Sequence, residues 1–203
     1  MPSFGSKLPR PYGLWDWPID ADAAQFPTSP VFDASTGVGG NDGPYANIPL
    51  TVGGAPPNFD QGNIQHCLSR AFNDGTRNIF GTPNVGDMMA RQYYNSTVMQ
   101  QRVYSQDKYY LFEVNLEDRS HAAVHNAVGG DMLTSAAPND ALFYLHHGNV
   151  DRIWAKWQAD NSTRLNDYQG FIDRQETVPA SIDDKMPIGS FSDQQPVGIP
   201  EDH

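Results

Sequence analysis

Two histidines four residues apart, His121 and His125, sit in the run HAAVHNAVGG. On an α-helix positions i and i+4 share a face, so both imidazoles can offer a nitrogen to one ion. Val124 and Val128 lie on the same side, which makes that face partly apolar and inward. Taken alone, such a pair fits a half-buried polar stripe as well as it fits a metal site. A second segment, ALFYLHHGNVDRIWAKWQAD, changes the balance. There Phe143, His147, Val150, Trp154 and Trp157 recur at spacings of 4, 3, 4 and 3. That is the apolar stripe of an amphipathic helix, with a histidine inside it. A buried imidazole without a partner costs on the order of 1–3 kcal/mol, so a metal or a hydrogen-bond partner is expected. His146 falls about 100° round the same helix, on a less apolar side. The expected ligands are therefore His121, His125 and His147, with His146 packing or hydrogen-bonding nearby. Asp151, four residues after His147, is placed to hold a ring nitrogen or to pair near Arg152. Three neutral imidazoles suit copper or zinc. A zinc hydrolase of the His-Glu-x-x-His type needs a glutamate directly after its first histidine, and Ala122 occupies that place.

Helices must position these side chains, and the chain marks where they begin and end. Asp118 or Ser120 can cap a helix that runs to Val128, with Gly129 and Gly130 as its stop. After the loop MLTSAAPND, Asn139 or Asp140 can cap the helix bearing His147. Upstream, Asn84 or Asp87 can cap a helix over MMARQYYNSTVMQQRVYS, and residues 64 to 73 can form a helical turn around Cys67. Residues 1 to 65 are dense in Pro, Gly, Asp and Asn and read as loop, with one short strand in YANIPLTV. From Asn161 to His203 the chain again lacks a period and reads as a wrapping arm. The expected organisation is one domain over 1–203, with a loop-rich segment at 1–65, a helical core at 84–160 and a C-terminal arm at 161–203.

Bulk properties exclude several classes. Gly and Pro together make up 34 of 203 residues, about 17% against a usual level of about 12%, so long irregular connections are expected around a modest core. A net charge of −11 argues against nucleic acid or an anionic membrane as partner, since both call for a basic surface. No apolar run approaches a membrane span, and MPSFGSKLPRPYGLWDW contains no apolar signal-peptide core. One cysteine, Cys67, forbids an internal disulfide. Two glycosylation sequons, at Asn95 and Asn161, suggest secretion and leave the compartment open.

HAAVHNAVGG followed by NDALFYLHHGNVDRIWAKWQ closely resembles the second copper-binding region of the tyrosinase, catechol oxidase and haemocyanin superfamily, with the short fungal polyphenol oxidases nearest. Carried over residue by residue, the resemblance gives His121, His125 and His147 as copper ligands. PYGLWDWPIDADA, SPVFD, GPYANI and HCLSRAF are similar to connecting segments of the family, so the likeness covers roughly residues 10 to 190. It implies a mainly α fold: a partial helical bundle carrying the second-copper helix pair, with few short strands. It also implies oxidation of o-diphenols or o-aminophenols to o-quinones with dioxygen. Copper is the implied cofactor, one ion from this chain and two in the intact family site; phenolic small molecules and dioxygen are the implied partners.

The departures shape that expectation. Ala141 replaces the proline that usually follows Asp140, and Gly13 and Leu14 are extra residues relative to the family's PYWDW. Where the family often has Asn after the first histidine, to orient a water together with a Glu, Ala122 stands. Glu117 is the candidate for that water-orienting Glu. With Asn absent, diphenol oxidation is favoured over monophenol hydroxylation. The family's first copper site needs three more histidines, and outside the second-site three the chain has only His66, His146 and His203. His66 reads as an ordinary surface or core histidine. The expectation is thus a chain that lacks the first copper half, is inactive alone, and is reduced in stability or completed by a second chain. The alternative is a non-catalytic relative that binds one copper or zinc ion. Phe143 and Tyr144 read as core, and Asn126 and Ala127 as lining the pocket mouth.

Overall fold

The computed structural model describes residues 13–24, 26–53, 62–73, 91–172, 177–186 and 195–196. Helices dominate it, and the strands are two residues long each. The first helix, α1 (Trp17–Asp22), carries Pro18 in its first turn, where a missing N–H is harmless. Strand β1 (Pro49–Leu50) pairs antiparallel with β2 (His66–Cys67), with Leu50 opposite His66. The strand expected within YANIPLTV is present at β1. The helical turn expected over 64–73 is not: β2 pairs with β1, and the chain after it bonds across to the helical layer, Ala71 N–H to the Val128 carbonyl and Asn73 N–H to the Ala127 carbonyl.

Helix α2 (Ser96–Val98) continues as a π-helical stretch, Met99–Tyr104. Its cap is Asn95, whose side chain accepts from the Val98 N–H at 2.8 Å. The expected caps, Asn84 and Asp87, lie outside the described residues. Helix α3 (Tyr109–Asn115) then runs through a π-helical stretch (Leu116–His121) into α4 (Ala122–Val128) without a break. The start expected at Asp118 or Ser120 is corrected by this continuity. No glycine or proline interrupts residues 109 to 128, and the Ser120 hydroxyl donates to the Tyr93 carbonyl at 2.8 Å instead of capping. The real cap comes from the distant arm: Asp167 Oδ2 accepts from the Tyr109 N–H at 3.2 Å. Gly129 does stop α4, at φ 64°.

Helix α5 (Ala141–Ala159) begins at Asp140, whose Oδ1 accepts from the Leu142 N–H at 2.8 Å. Asp140 is also gripped by Arg70, with Nε to Oδ2 at 2.7 Å and Nη2 to Oδ1 at 2.6 Å, both side chains fully buried. Arg70 spends its remaining nitrogen on the Gly39 and Gly40 carbonyls. One guanidinium thus ties the 39–40 loop, the segment after β2 and the start of α5.

Core side chains from these elements converge. Trp15, Phe26, Phe32 and Phe72 form one aromatic group, with centroid separations of 4.9 to 6.3 Å between contacting rings. Phe112 of α3 stacks on Trp157 of α5 at 4.6 Å, within the range where aromatic pairs attract. After α5 the chain makes a 3₁₀ turn, Ser162–Asn166, and Arg164 folds back over the Trp157 ring at 4.8 Å while donating to its carbonyl at 2.9 Å. An isolated bridge, Phe171 to Pro179, and a pair of short strands, β3 (Lys185–Met186) and β4 (Gln195–Pro196), follow. Among the described residues no helix is long and apolar enough to cross a membrane.

Candidate metal centre

The buried stripe of α5 is Leu142, His146, Asn149, Ile153 and Trp157. Trp157 belongs to the stripe expected through His147 as well, while the other four lie one residue earlier, because burial follows the packing of Trp17 from α1 as well as the histidines beside α4. Trp17 sits 6.1 Å from the His146 ring and fills the side of the helix that periodicity alone leaves less apolar. His146 is therefore fully buried and His147 half-buried.

Both reach the same place. His121, His125, His146 and His147 bring one nitrogen each within 4.8 Å of one another. The His121 ring lies parallel to His146 at 5.1 Å and edge-on to His125 at 4.6 Å. The His147 ring stands 5.0 Å from His121 and 5.6 Å from His125. A tetrahedral ion with bonds of about 2.0–2.1 Å spaces its donors by about 3.4 Å, so ring shifts of about 1 Å close the cluster on an ion. The π-helical stretch Leu116–His121 ends at the first of these histidines, widening the helix at the site, as π-bulges do at functional positions.

The free nitrogens fit a cation. His125 Nδ1 donates to the Met132 carbonyl at 2.5 Å. His121 Nδ1 faces the Glu117 carbonyl at 3.3 Å and Glu117 Oε2 at 3.2 Å. A carbonyl only accepts, so Nδ1 carries the proton in both rings and Nε2 holds the lone pair. Nε2 of His121 and of His147, and both ring nitrogens of His146, are buried with no hydrogen-bond partner among the described residues. Burial holds all four imidazoles below the ordinary histidine range, and the neighbouring rings add to this at His125, His146 and His147. His147 is pushed down to about 4. All four are neutral near pH 7, the state a metal ligand needs.

Other expected site residues fall elsewhere. Asp151 is exposed; one turn beyond His147, it points to solvent while Asn149 faces the core and accepts from Arg152 at 2.7 Å. Glu117 meets His121 on its Nδ1 side, the nitrogen away from the free lone pair, and its side chain is half exposed. Asn126 and Ala127 are buried rather than at a mouth. Tyr144 is exposed, not core, and Phe143 lies against the site with its ring 4.1 Å from His147. The sequence reading missed the Met132 carbonyl; backbone acceptors leave no signature in residue type.

Residues 4–160 match the family model described as the common central domain of tyrosinase. The chain belongs to the tyrosinase family. Tyrosinase-like protein phomQ1 of Diaporthe leptostromiformis is 33% identical, over 88% of this chain and 50% of its own length. Tyrosinase ustQ of Aspergillus flavus is 28% identical, over 90% of this chain and 51% of its own length. The tyrosinase of Streptomyces antibioticus is 30% identical, over 78% of this chain and 56% of its own length. The chain thus spans about half the length of the curated relatives it matches. Tyrosinases are copper oxidoreductases, and the donor set of neutral imidazoles fits copper.

Proposed function

We propose that this chain forms one copper site of a tyrosinase-type polyphenol oxidase whose reaction is the oxidation of o-diphenols or o-aminophenols to o-quinones with dioxygen. The observation that carries the reading is the cluster of four neutral histidines, three of which have buried nitrogens with no partner among the described residues. His121, His125 and His147 are the donors that match the family motif, and His146 backs them from the fully buried side. Copper bound there supplies the electron-transfer chemistry between phenol and dioxygen.

The chain's own residues orient and shield. Glu117 holds the His121 ring from behind, and the Met132 carbonyl holds that of His125. Phe143 presents an aromatic face beside His147, at the half-buried edge where a phenol ring can stack. Ala122 offers no side-chain amide to orient a water, which favours diphenols over monophenols. An o-diphenol gives up two electrons and two protons on becoming a quinone, while one copper exchanges one electron. These 203 residues hold six histidines, and beyond the cluster only His66 and His203 remain. Under this reading a second copper would need further histidine donors, and a non-catalytic single-metal protein is the competing reading.

Two measurements test this. The chain loaded with Cu(I) should bind one copper per molecule and consume no oxygen with 4-tert-butylcatechol. A polypeptide that extends it to the length of its relatives should oxidise the catechol. Failure of the longer form to do so, with copper bound, would favour the non-catalytic reading.

A further inference from the structure

His66 is unassigned by anything above, and its surroundings are specific. Its side chain is only 3% exposed, although it sits in the two-residue strand β2. Nδ1 lies 2.7 Å from the Ile64 carbonyl and Nε2 lies 2.8 Å from Asp131 Oδ1. Both partners accept only, so both ring nitrogens donate and the ring is an imidazolium clamped between them. Asp131 is itself 1% exposed and fully engaged. Its Oδ2 accepts from the Ser69 N–H at 2.9 Å, and its own N–H donates to the Ser69 carbonyl at 2.9 Å.

Asp131 belongs to the 3₁₀ turn Gly130–Leu133, which directly follows α4. The turn has no play against the segment after β2. A Cβ on Gly130, at φ 61°, would stand 2.1 Å from the Ser69 carbonyl oxygen, and one on Gly129 would stand 2.1 Å from that of Ala71. The next residue in the turn is Met132, fully buried, whose carbonyl accepts from His125 Nδ1. That single acceptor decides which nitrogen of His125 keeps its lone pair. Ligand orientation of this kind usually rests on a carboxylate or carbonyl behind the ring, and here the carbonyl is itself held by a histidine–carboxylate pair two elements away.

We propose that His66 is a positioning residue of the metal centre: through Asp131 it locks the turn whose Met132 carbonyl fixes His125 with Nε2 free to bind. The inference rests on the reading of His125 as a metal donor.

The experiment follows His125 by ¹⁵N NMR in the metal-free protein and measures Cu(I) affinity by competition with a chromophoric chelator. In the native chain His125 should show a single tautomer with the proton on Nδ1. His66→Leu should give a mixed tautomer and about a 10- to 100-fold loss of affinity, the range seen when outer-shell partners of ligands are removed. His66→Gln, which can still donate to Asp131, should restore both the tautomer and the affinity. Asp131→Asn keeps the shape of the turn and should shift His125 in the same direction as His66→Leu, so the test survives if the leucine variant fails to fold. Phe112→Leu, which loosens the α3–α5 contact without touching the turn, should leave the tautomer unchanged. An unaltered His125 tautomer or an unaltered affinity in both His66→Leu and Asp131→Asn would overturn the proposal. His125→Ala separates the two readings: if it binds Cu(I) as tightly as the native chain, His125 is not a donor, and the assignment of the centre fails apart from the clamp.

Discussion

Replacing His146 by leucine should make the metal-free protein more stable, not less. His146 is fully buried, and both of its ring nitrogens lack partners among the described residues. An unsatisfied buried polar group costs about 1–3 kcal/mol, and this ring carries a donor and an acceptor. Leucine has nearly the same volume and nothing to desolvate. Against that gain stands the loss of ring contacts, with His125 at 4.7 Å, His121 and His147 at 5.1 Å each and Trp17 at 6.1 Å; leucine keeps the contact area, so each loses about 0.5 kcal/mol, the low end for ring pairs. The net is a gain of about 1–2 kcal/mol. For a chain of this size each kcal/mol moves Tm by about 2–4 °C, so His146→Leu should raise Tm by roughly 2–8 °C. The assay is thermal and urea unfolding in the presence of a chelator. Adding copper should then stabilise the native chain more than the variant, since a ligand that binds only the folded state adds stability with its affinity. A metal-free His146→Leu protein less stable than the native chain by more than about 1 kcal/mol would refute the reasoning, because the buried imidazole would then be satisfied by the fold itself.

Two further outcomes follow from buried charges. Arg70→Met leaves Asp140 buried and unpaired and frees two loop carbonyls, so it should cost about 3–5 kcal/mol in urea unfolding; Arg70→Lys, which keeps the charge but not the fork, should fall between. A loss below about 1 kcal/mol for Arg70→Met would mean that the pair is not the anchor of α5. His66 titrates in the opposite sense to the cluster. Burial pulls its pKa down, but the bonds to Asp131 and to the Ile64 carbonyl outweigh this and leave it raised. A histidine whose folded pKa is raised contributes stability that is complete below about pH 6.5, the unfolded value, and is lost as pH rises through the folded one. The stability difference between the native chain and His66→Gln should therefore shrink from pH 6 to pH 9; a difference independent of pH would show that His66 is neutral in the fold.

Local signals in the sequence located the helices and the histidines, and tertiary contacts decided the rest. Asp140 was legible as a cap because a carboxylate before an apolar-periodic run has a local reason to be there, and Gly129 was legible as a stop for the same kind of reason. Asp118 and Ser120 carried equally good cap chemistry, yet α3 and α4 are continuous there, because Asp167, 58 residues from the N–H it accepts, caps the helix earlier. The 4-3-4-3 spacing through His147 found a real helix and its buried Trp157, but the rest of the inner face lies one residue earlier, since Trp17 of α1 was invisible to a periodicity count. Adjacent histidines made that error harmless for the cluster, as both rings reach it. His66 looked like an ordinary histidine because its partner, Asp131, is 65 residues away.

Copper content per chain, measured together with the EPR signal of the oxidised protein, tests the central claim most directly. One EPR-visible Cu(II) per chain, lost in His121→Ala and in His147→Ala, is the predicted result. Copper binding that survives both substitutions, or a second copper held by these same 203 residues, would contradict it.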